Sequence, residues 1–346
     1  MKSKSILWAV LLLAALVVLC GCGEKKPVLH IYTWSDYIDA GLVEQFERDN
    51  QCRVVIDTYD SNEAMYAKLK AGATGYDLLF PSTYMVKIMH AQGMLQQLDH
   101  AQIPNLANID PAYMPLASDP TMSYSVPYTV SITCLGYLRS KVPDFEPTWA
   151  MFDRTEFKGR MTLLNDYRET IGVALKFLGY SLNTVNDEEL AQARDVVLRW
   201  KKNIAKFDNE QYKNGLASGE FQLTHGYNGD LILVREENDD IGIAVPREGS
   251  QITFDDMVIP VDAPRPDLAH KMINFILEPQ SAATLTESIM FLCPNLPSYE
   301  LLAPETRADP VLFPPADVIA KLETIEDLGE DNVKYTKIWD EIKAAE

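Results

Sequence analysis

Basic side chains are scarce in this chain. Its 31 Lys and Arg stand against 50 Asp and Glu, a net charge of −19, which repels phosphate backbones and removes the electrostatic footprint that nucleic-acid binding needs. Histidine is equally thin: His30, His90, His100, His225 and His270 are scattered, with none of the spacings that build metal sites. The five cysteines, Cys20, Cys22, Cys52, Cys134 and Cys293, offer no CxxC pair and no Cys/His cluster, so no disulfide framework or metal site is expected. The last three read as small buried residues. No GxSxG elbow, HExxH helix, Walker loop or GxGxxG turn occurs. Neither a cofactor nor a metal is implied, and beyond residue 19 no apolar run is long enough to cross a bilayer.

What is present begins with an address. Lys2 and Lys4 precede an apolar run from Ile6 to Leu19 that is too short and one-sided for a comfortable span, the make-up of a signal peptide over residues 1–21. Behind it, Leu19-Cys20-Gly21-Cys22 resembles a bacterial lipobox, in which the cysteine after a small residue is acylated and becomes the new N-terminus. On that pattern Cys22 carries the lipid and residues 22–27 form a polar tether; plain secretion with a cut nearby is the alternative. Cleavage removes Lys2 and Lys4 and moves the net charge from −19 to −21. Bacterial lipoproteins carry several acyl chains, so the expected product is a soluble body in the periplasm or on the outer face of the cell membrane, with the lipid as its only membrane contact.

At 346 residues, with 47% apolar and 10% aromatic side chains, the chain corresponds to about two domains and is not wholly disordered. Residues 28–32 and 53–56 have the composition of buried strands, and Leu42, Val43 and Phe46 recur at helical spacing over 41–50. Ser61 caps a second helix through Met65, Tyr66 and Leu69, and residues 76–80 make a third strand stopped by Pro81. This alternation predicts a largely parallel sheet covered on both faces, with ligands at the carboxyl ends of its strands. The loops there are 33–37, 59–61 and 81–84. After an irregular stretch over 97–123, a strand over 129–138 fits a crossing to a second lobe. That lobe holds helices over 167–177 and 187–204 and short strands near 222–224 and 241–245; a strand over 253–260 fits the return. Helices over 266–277 and 281–289 follow, and a last one near the C-terminus.

Five segments together resemble a known family. They are Tyr32-Thr-Trp-Ser-Asp-Tyr37, Tyr59-Asp-Ser-Asn-Glu-Ala-Met-Tyr-Ala-Lys-Leu-Lys70, Tyr76-Asp-Leu-Leu-Phe-Pro-Ser-Thr-Tyr84, Ile273-Asn-Phe-Ile-Leu-Glu-Pro279 and Cys293-Pro-Asn-Leu-Pro297. The family is that of the periplasmic polyamine-binding receptors of ABC importers, which includes the spermidine and putrescine receptors, and the match spans nearly the whole chain beyond the tether. It implies an α/β type II periplasmic-binding-protein fold, two lobes joined by crossing hinge strands with the ligand in the interlobe cleft. Residues 28–135 and 256–310 would form one lobe, 136–255 and 311–346 the other. The implied role is a monomeric extracytoplasmic receptor, not an enzyme, that hands a polyamine to ABC permease subunits with a cytoplasmic ATPase.

The chemistry of such a ligand can be stated independently. A polyamine is a flexible apolar chain carrying two or more ammonium groups, so it needs carboxylates at its ends and aromatic walls between them, whose faces attract cations by about 0.5 to 2 kcal/mol. The resemblance places Trp34, Ser35, Asp36 and Tyr37 at the ligand, with Ser82 and Tyr84 after the third strand. The plainer alternatives are a core Trp34, a helix-capping Asp36 and a Pro-Ser turn with a packed Tyr84. It also places Asp166 and Glu169 there, although Asp-x-x-Glu before an apolar run equally resembles a capping box. Asp255 matches an acid that grips an ammonium; its neighbour Asp256 reads as a solvated or hinge residue. Tyr227 and Asp230 match an aromatic wall and a carboxylate, or else a turn before a capped helix, and Phe291 matches a further ring.

Asp36 and Asp230 resemble the putrescine type of site, Tyr84 and Asp166 the spermidine type. Several positions depart from both: Tyr227 stands where Trp is usual, Thr253 where relatives carry a large aromatic, Phe291 where Tyr is common and Ile325 where the spermidine receptors have an amide. Two other classes compete. One is a receptor for another organic cation or solute, the other a carboxylate-pair glycoside hydrolase with Asp36 and Asp255 as acid and base.

Overall fold

The computed structural model describes residues 26–345 apart from 115, 116 and 118. The expected signal peptide, the lipobox with Cys22 and most of the tether lie outside the described residues. Strand β1 (Val28–Trp34) is the centre of the first sheet, parallel to β2 (Arg53–Tyr59) on one side and to β3 (Leu78–Leu79) on the other. Its alternation feeds two cores, Leu29 and Ile31 entering one and Tyr32 the other. Contrary to the expectation of a buried strand, β2 is a sheet edge paired only with β1, and Arg53, Ile56, Asp57 and Thr58 are exposed on it. Helix α1 (Ala40–Asn50) is capped by Asp39, whose Oδ1 accepts from Leu42 N–H at 2.9 Å, and buries Leu42 and Phe46. Ser61 caps α2 (Asn62–Lys70), and the break at Pro81 leads into α3 (Thr83–Ala91).

The second sheet is built on β4 (Val126–Leu138), a 13-residue strand buried along almost its whole length. Its first half pairs antiparallel with β9 (Ile252–Met257), from Val126 with Met257 to Ile132 with Ile252. Its second half pairs with β7 (Leu223–Tyr227) and β8 (Ile241–Ala244). Strands β5 (Met161–Leu163) and β6 (Lys206–Phe207) complete the order β6-β5-β7-β4-β8, with β9 on β4. This sheet is mixed rather than largely parallel, because β4 runs antiparallel to every strand that it pairs with. At the change of partner the ladder leaves Ile132 N–H without a strand neighbour. Asn228 fills the gap: its Oδ1 accepts from Ile132 N–H at 3.0 Å and its Nδ2 donates to Val311 O at 3.2 Å.

Around this sheet lie α4 (Tyr167–Leu178), α5 (Asp187–Lys201), the short α6 (Tyr212–Ser218) and α7 (Asn228–Glu237). Helices α8 (Pro266–Ile276) and α9 (Pro279–Ile289) return to the core of the first sheet, where Met272, Ile273 and Leu285 join Leu29 and Phe80. The last helix, α10 (Asn332–Ala344), buries Tyr335 and Ile342 among Met161, Trp200 and Leu223 of the second. Cys52, Cys134 and Cys293 are buried and free. No helix among the described residues is long and apolar enough to cross a membrane.

Candidate functional site

A cavity of about 940 Å³, counting its mouth, opens between the carboxyl ends of β1 and β3 and the β5–α4 and β7–α7 junctions, a size suited to a small molecule. Eleven of the twelve expected residues line it: Trp34, Ser35, Tyr37, Ser82, Tyr84, Asp166, Glu169, Tyr227, Asp230, Asp255 and Phe291. Asp36 does not. It is exposed just past β1 with φ of 54°, a left-handed turn that a short polar side chain tolerates, and the helix cap that it was the alternative candidate for belongs to Asp39. The Asp36 and Asp255 pair of a hydrolase therefore does not share the cavity.

Asp255 occupies one end. Tyr37 donates to its Oδ2 and Ser82 to its Oδ1, both at 2.6 Å. With its only proton given to Asp255, the Tyr37 oxygen accepts from Thr129 Oγ1 at 2.5 Å, while Asn62 fixes Ser82 by a donated bond of 3.0 Å to Oγ and an accepted one of 3.1 Å from N–H. Burial lifts the Asp255 carboxyl to about 6 against the pull of these two hydroxyls. Neither donor is charged, so the ionised carboxylate has hydrogen bonds but no counter-charge from them. Asp256, expected as a solvated or hinge residue, is buried rather than solvated, with Ser125 Oγ donating to it at 3.2 Å.

At the β5–α4 wall Asp166 is a helix cap that also borders the cavity, its Oδ1 accepting from Arg168 N–H at 2.8 Å and Glu169 N–H at 3.0 Å. Burial, aided by Glu63, raises its carboxyl to about 6. Glu169 sits 2% exposed in the wall, and its Oε2 has no hydrogen-bond partner among the described residues. Burial first and Asp166 second push its carboxyl well above the usual range, against the Thr133 and Tyr227 hydroxyls and the Arg168 charge. His225 Nε2 lies 3.9 Å from that oxygen, but burial holds the imidazole at about 3, hence neutral. The Arg168 guanidinium is already engaged, donating to Glu326 O at 3.0 Å and Asn183 Oδ1 at 2.8 Å over the Tyr335 ring.

The fourth carboxylate differs. Asp230, in the first turn of α7, accepts from Tyr212 OH at 2.6 Å through Oδ2, and its Oδ1 faces Lys213 Nζ at 3.5 Å. Aromatic walls lie between these ends. Trp34 is tied by Nε1 to Phe80 O at 3.0 Å and packs edge-on to Tyr59 at 4.6 Å, so it is both core and wall. Phe291 meets Tyr37 at 5.7 Å. It approaches Gly229 so closely that a Cβ there would lie 2.6 Å from the ring, so a side chain at 229 would displace Phe291, and residues 228–230 form the first turn of α7. Tyr84 donates to Glu63 Oε1 at 3.0 Å.

Thr253 and Ile325, noted as departures, line the cavity, as do Tyr227 and Phe291. The sequence reading did not single out Asn62, Arg168, Glu210, Lys213 or Gln251, all of which also line the cavity. Asn62 lies inside the segment over 59–70 and Arg168 between Asp166 and Glu169, so both were within reach. Lys213 lies on a seven-residue helix with no pattern to mark it.

Comparison with known proteins places this geometry. A family model described as bacterial extracellular solute-binding protein matches residues 41–314. The spermidine/putrescine-binding periplasmic protein of Escherichia coli (strain K12) is 35% identical over 343 residues, covering 97% of this chain and 99% of the relative. Among solved structures, the spermidine/putrescine ABC transporter substrate-binding protein PotD from Streptococcus pneumoniae aligns with a TM-score of 0.81 at 32% identity, covering 92% of this chain and 99% of that one. The TpPotD lipoprotein of Treponema pallidum aligns with a TM-score of 0.83 at 34% identity, over 91% and 99%.

Proposed function

As the chain belongs to the bacterial extracellular solute-binding proteins, we propose that it is the polyamine receptor of an ABC-type importer and takes putrescine or spermidine between its lobes. The observation that carries the reading is the imbalance of the cavity wall. Asp60, Asp166, Glu169, Glu210, Asp230 and Asp255 face Arg168 and Lys213 there, both bases are engaged by the protein itself, and Glu169 Oε2 has no donor among the described residues. A ligand that brings ammonium donors on an apolar chain meets that demand, with Trp34, Tyr84, Tyr227 and Phe291 for its methylenes. The names of the relatives point to the same chemistry.

In this reading Trp34, Ser35, Tyr37, Ser82, Tyr84, Asp166, Glu169, Tyr227, Asp255 and Phe291 contact the ligand, and Asp36 lies at the rim, where its charge reaches Glu210. The lobes are residues 28–135 with 256–310 and 136–255 with 311–346. The protein acts without catalysis as a monomer, held by a lipid on Cys22 to the outer face of a membrane, where it meets the permease subunits and their ATPase.

Calorimetric titration of the purified protein, unfolded and refolded once to strip carried-over amine, tests the reading with putrescine, cadaverine, spermidine and spermine. One-to-one binding of at least one amine, weakened a hundredfold or more in Asp255→Asn, is expected, since the variant leaves an ammonium without its buried partner. A folded protein that gives no heat with any of the four rejects it.

A further inference from the structure

The carboxylates of the cavity are not equivalent. Asp255 is met by two neutral hydroxyls and Glu169 Oε2 by nothing among the described residues, whereas Asp230 already has a cation in Lys213, 3.5 Å away, with side-chain exposures of only 18% and 22%. Tyr212 completes the arrangement. It takes Tyr227 N–H at 3.1 Å and donates its own proton to Asp230 at 2.6 Å, so Asp230 is held in position toward Lys213. Resting on the polyamine reading, we propose that Lys213 is a tethered ammonium that occupies the Asp230 end of the cavity and so selects diamines over longer polyamines.

The reason is electrostatic. An incoming ammonium directed to Asp230 must displace Lys213 and then lie beside a like charge in a partly desolvated site, and discrimination built on such a repulsive element is a general route to specificity. The remaining acids near Lys213 are Glu210 and, through Glu210, Asp36 and Asp208, the last already paired with Lys206 at 2.5 Å; none removes the positive charge from the cavity wall. A diamine is gripped by Asp255 and the Asp166–Glu169 wall and leaves the Lys213–Asp230 pair intact. A triamine brings one ammonium too many.

Putrescine and spermidine titrations of the wild type, Lys213→Met, Lys213→Arg and the double variant Lys213→Met/Asp230→Asn test this. The expected result is a wild type that prefers putrescine, and a Lys213→Met protein whose spermidine-to-putrescine affinity ratio is at least tenfold higher. Lys213→Arg keeps the wild-type ratio, and the double variant loses the gain because the freed carboxylate is gone. Lys213→Gln, which retains a donor for Asp230 without the charge, supplies the same test should the Met variant melt early. An unchanged ratio in proteins that bind amine overturns the assignment of Lys213 alone. A wild type that binds no amine overturns the receptor reading and this inference with it.

Discussion

Asp255 shows how much of a binding residue lies in its neighbours. Its acid character is plain in the sequence, but its readiness to bind a cation depends on Tyr37 and Ser82, which donate at 2.6 Å and hold back a carboxyl that burial would raise further than about 6. Tyr37→Phe removes one donor and leaves the ring packing of Tyr128 and Phe291 in place. That bond is present before any ligand arrives. Its loss, worth about 1.5 to 3 kcal/mol for a charged acceptor, acts by making the carboxyl hold its proton more tightly. Polyamine binding at pH 5, where the proton must leave, should therefore weaken roughly 10- to 100-fold. The pH at which binding fails should also move upward, because the carboxyl then protonates more easily. A variant that matches the wild type in both affinity and pH profile removes Tyr37 from the site. The resemblance to the polyamine receptors, supported by strand-end position for Trp34, Ser35, Tyr37, Ser82 and Tyr84, pointed to eleven residues that line the cavity, but it also included Asp36, which the turn after β1 leaves outside it. Nor did it reveal that Asp230 has an internal partner, since Lys213 is 17 positions away on another helix.

At the scale of elements, β4 is the member on which the two halves depend. Its change of partner after Ile132 would leave a buried N–H unpaired, and Asn228 at the start of α7 repairs it. Asn228→Ala would orphan Ile132 N–H and remove a donor from Val311 O. At about 1 to 3 kcal/mol for each group left unpaired, a loss of about 2 to 6 kcal/mol in unfolding free energy is expected, read as a lower urea midpoint with an unchanged slope. A midpoint within experimental error of the wild type would show that β4 does not need the side chain. The alternation of strands and helices, the cap at Ser61 and the stretch of β4 over 129–138 were legible, because local periodicity and capping chemistry carry them, whereas the cap at Asp39 and the first three residues of β4 were not. The edge position of β2, the two-residue β3 and β6 and the mixed second sheet were not. They follow from which strand a distant segment pairs with, and that is not encoded in a window of neighbouring residues.

For the molecule as a whole, ligand binding and pH should be linked through the buried carboxyls. Asp166 and Asp255, lifted to about 6 by burial, keep their protons in the folded protein at acidities where the unfolded chain, with ordinary carboxyls near 4, has already released them. Their contribution to stability is therefore greatest in acid, declines as the pH rises from about 4 to 6, and stays lost above that, where the folded protein holds ionised carboxylates in a poorly solvated wall. An ammonium ligand binds the ionised form and relieves that cost, so the gain in stability on adding ligand should grow over the same interval. His225 acts in the opposite direction. Held neutral by a value near 3, it destabilises the fold as the pH falls below about 6.5, but it does so with and without ligand and drops out of the difference. At pH 5, one unit below the two carboxyls, each proton to be displaced weakens binding about tenfold, or about 1.4 kcal/mol. Melting curves with and without saturating polyamine at pH 5.0 and 7.5 should then show a clearly larger upward shift of Tm at pH 7.5. Equal shifts at the two pH values would mean that the ligand does not need Asp166 and Asp255 ionised, and the cation would have to be held by the other acids of the wall and its aromatic rings.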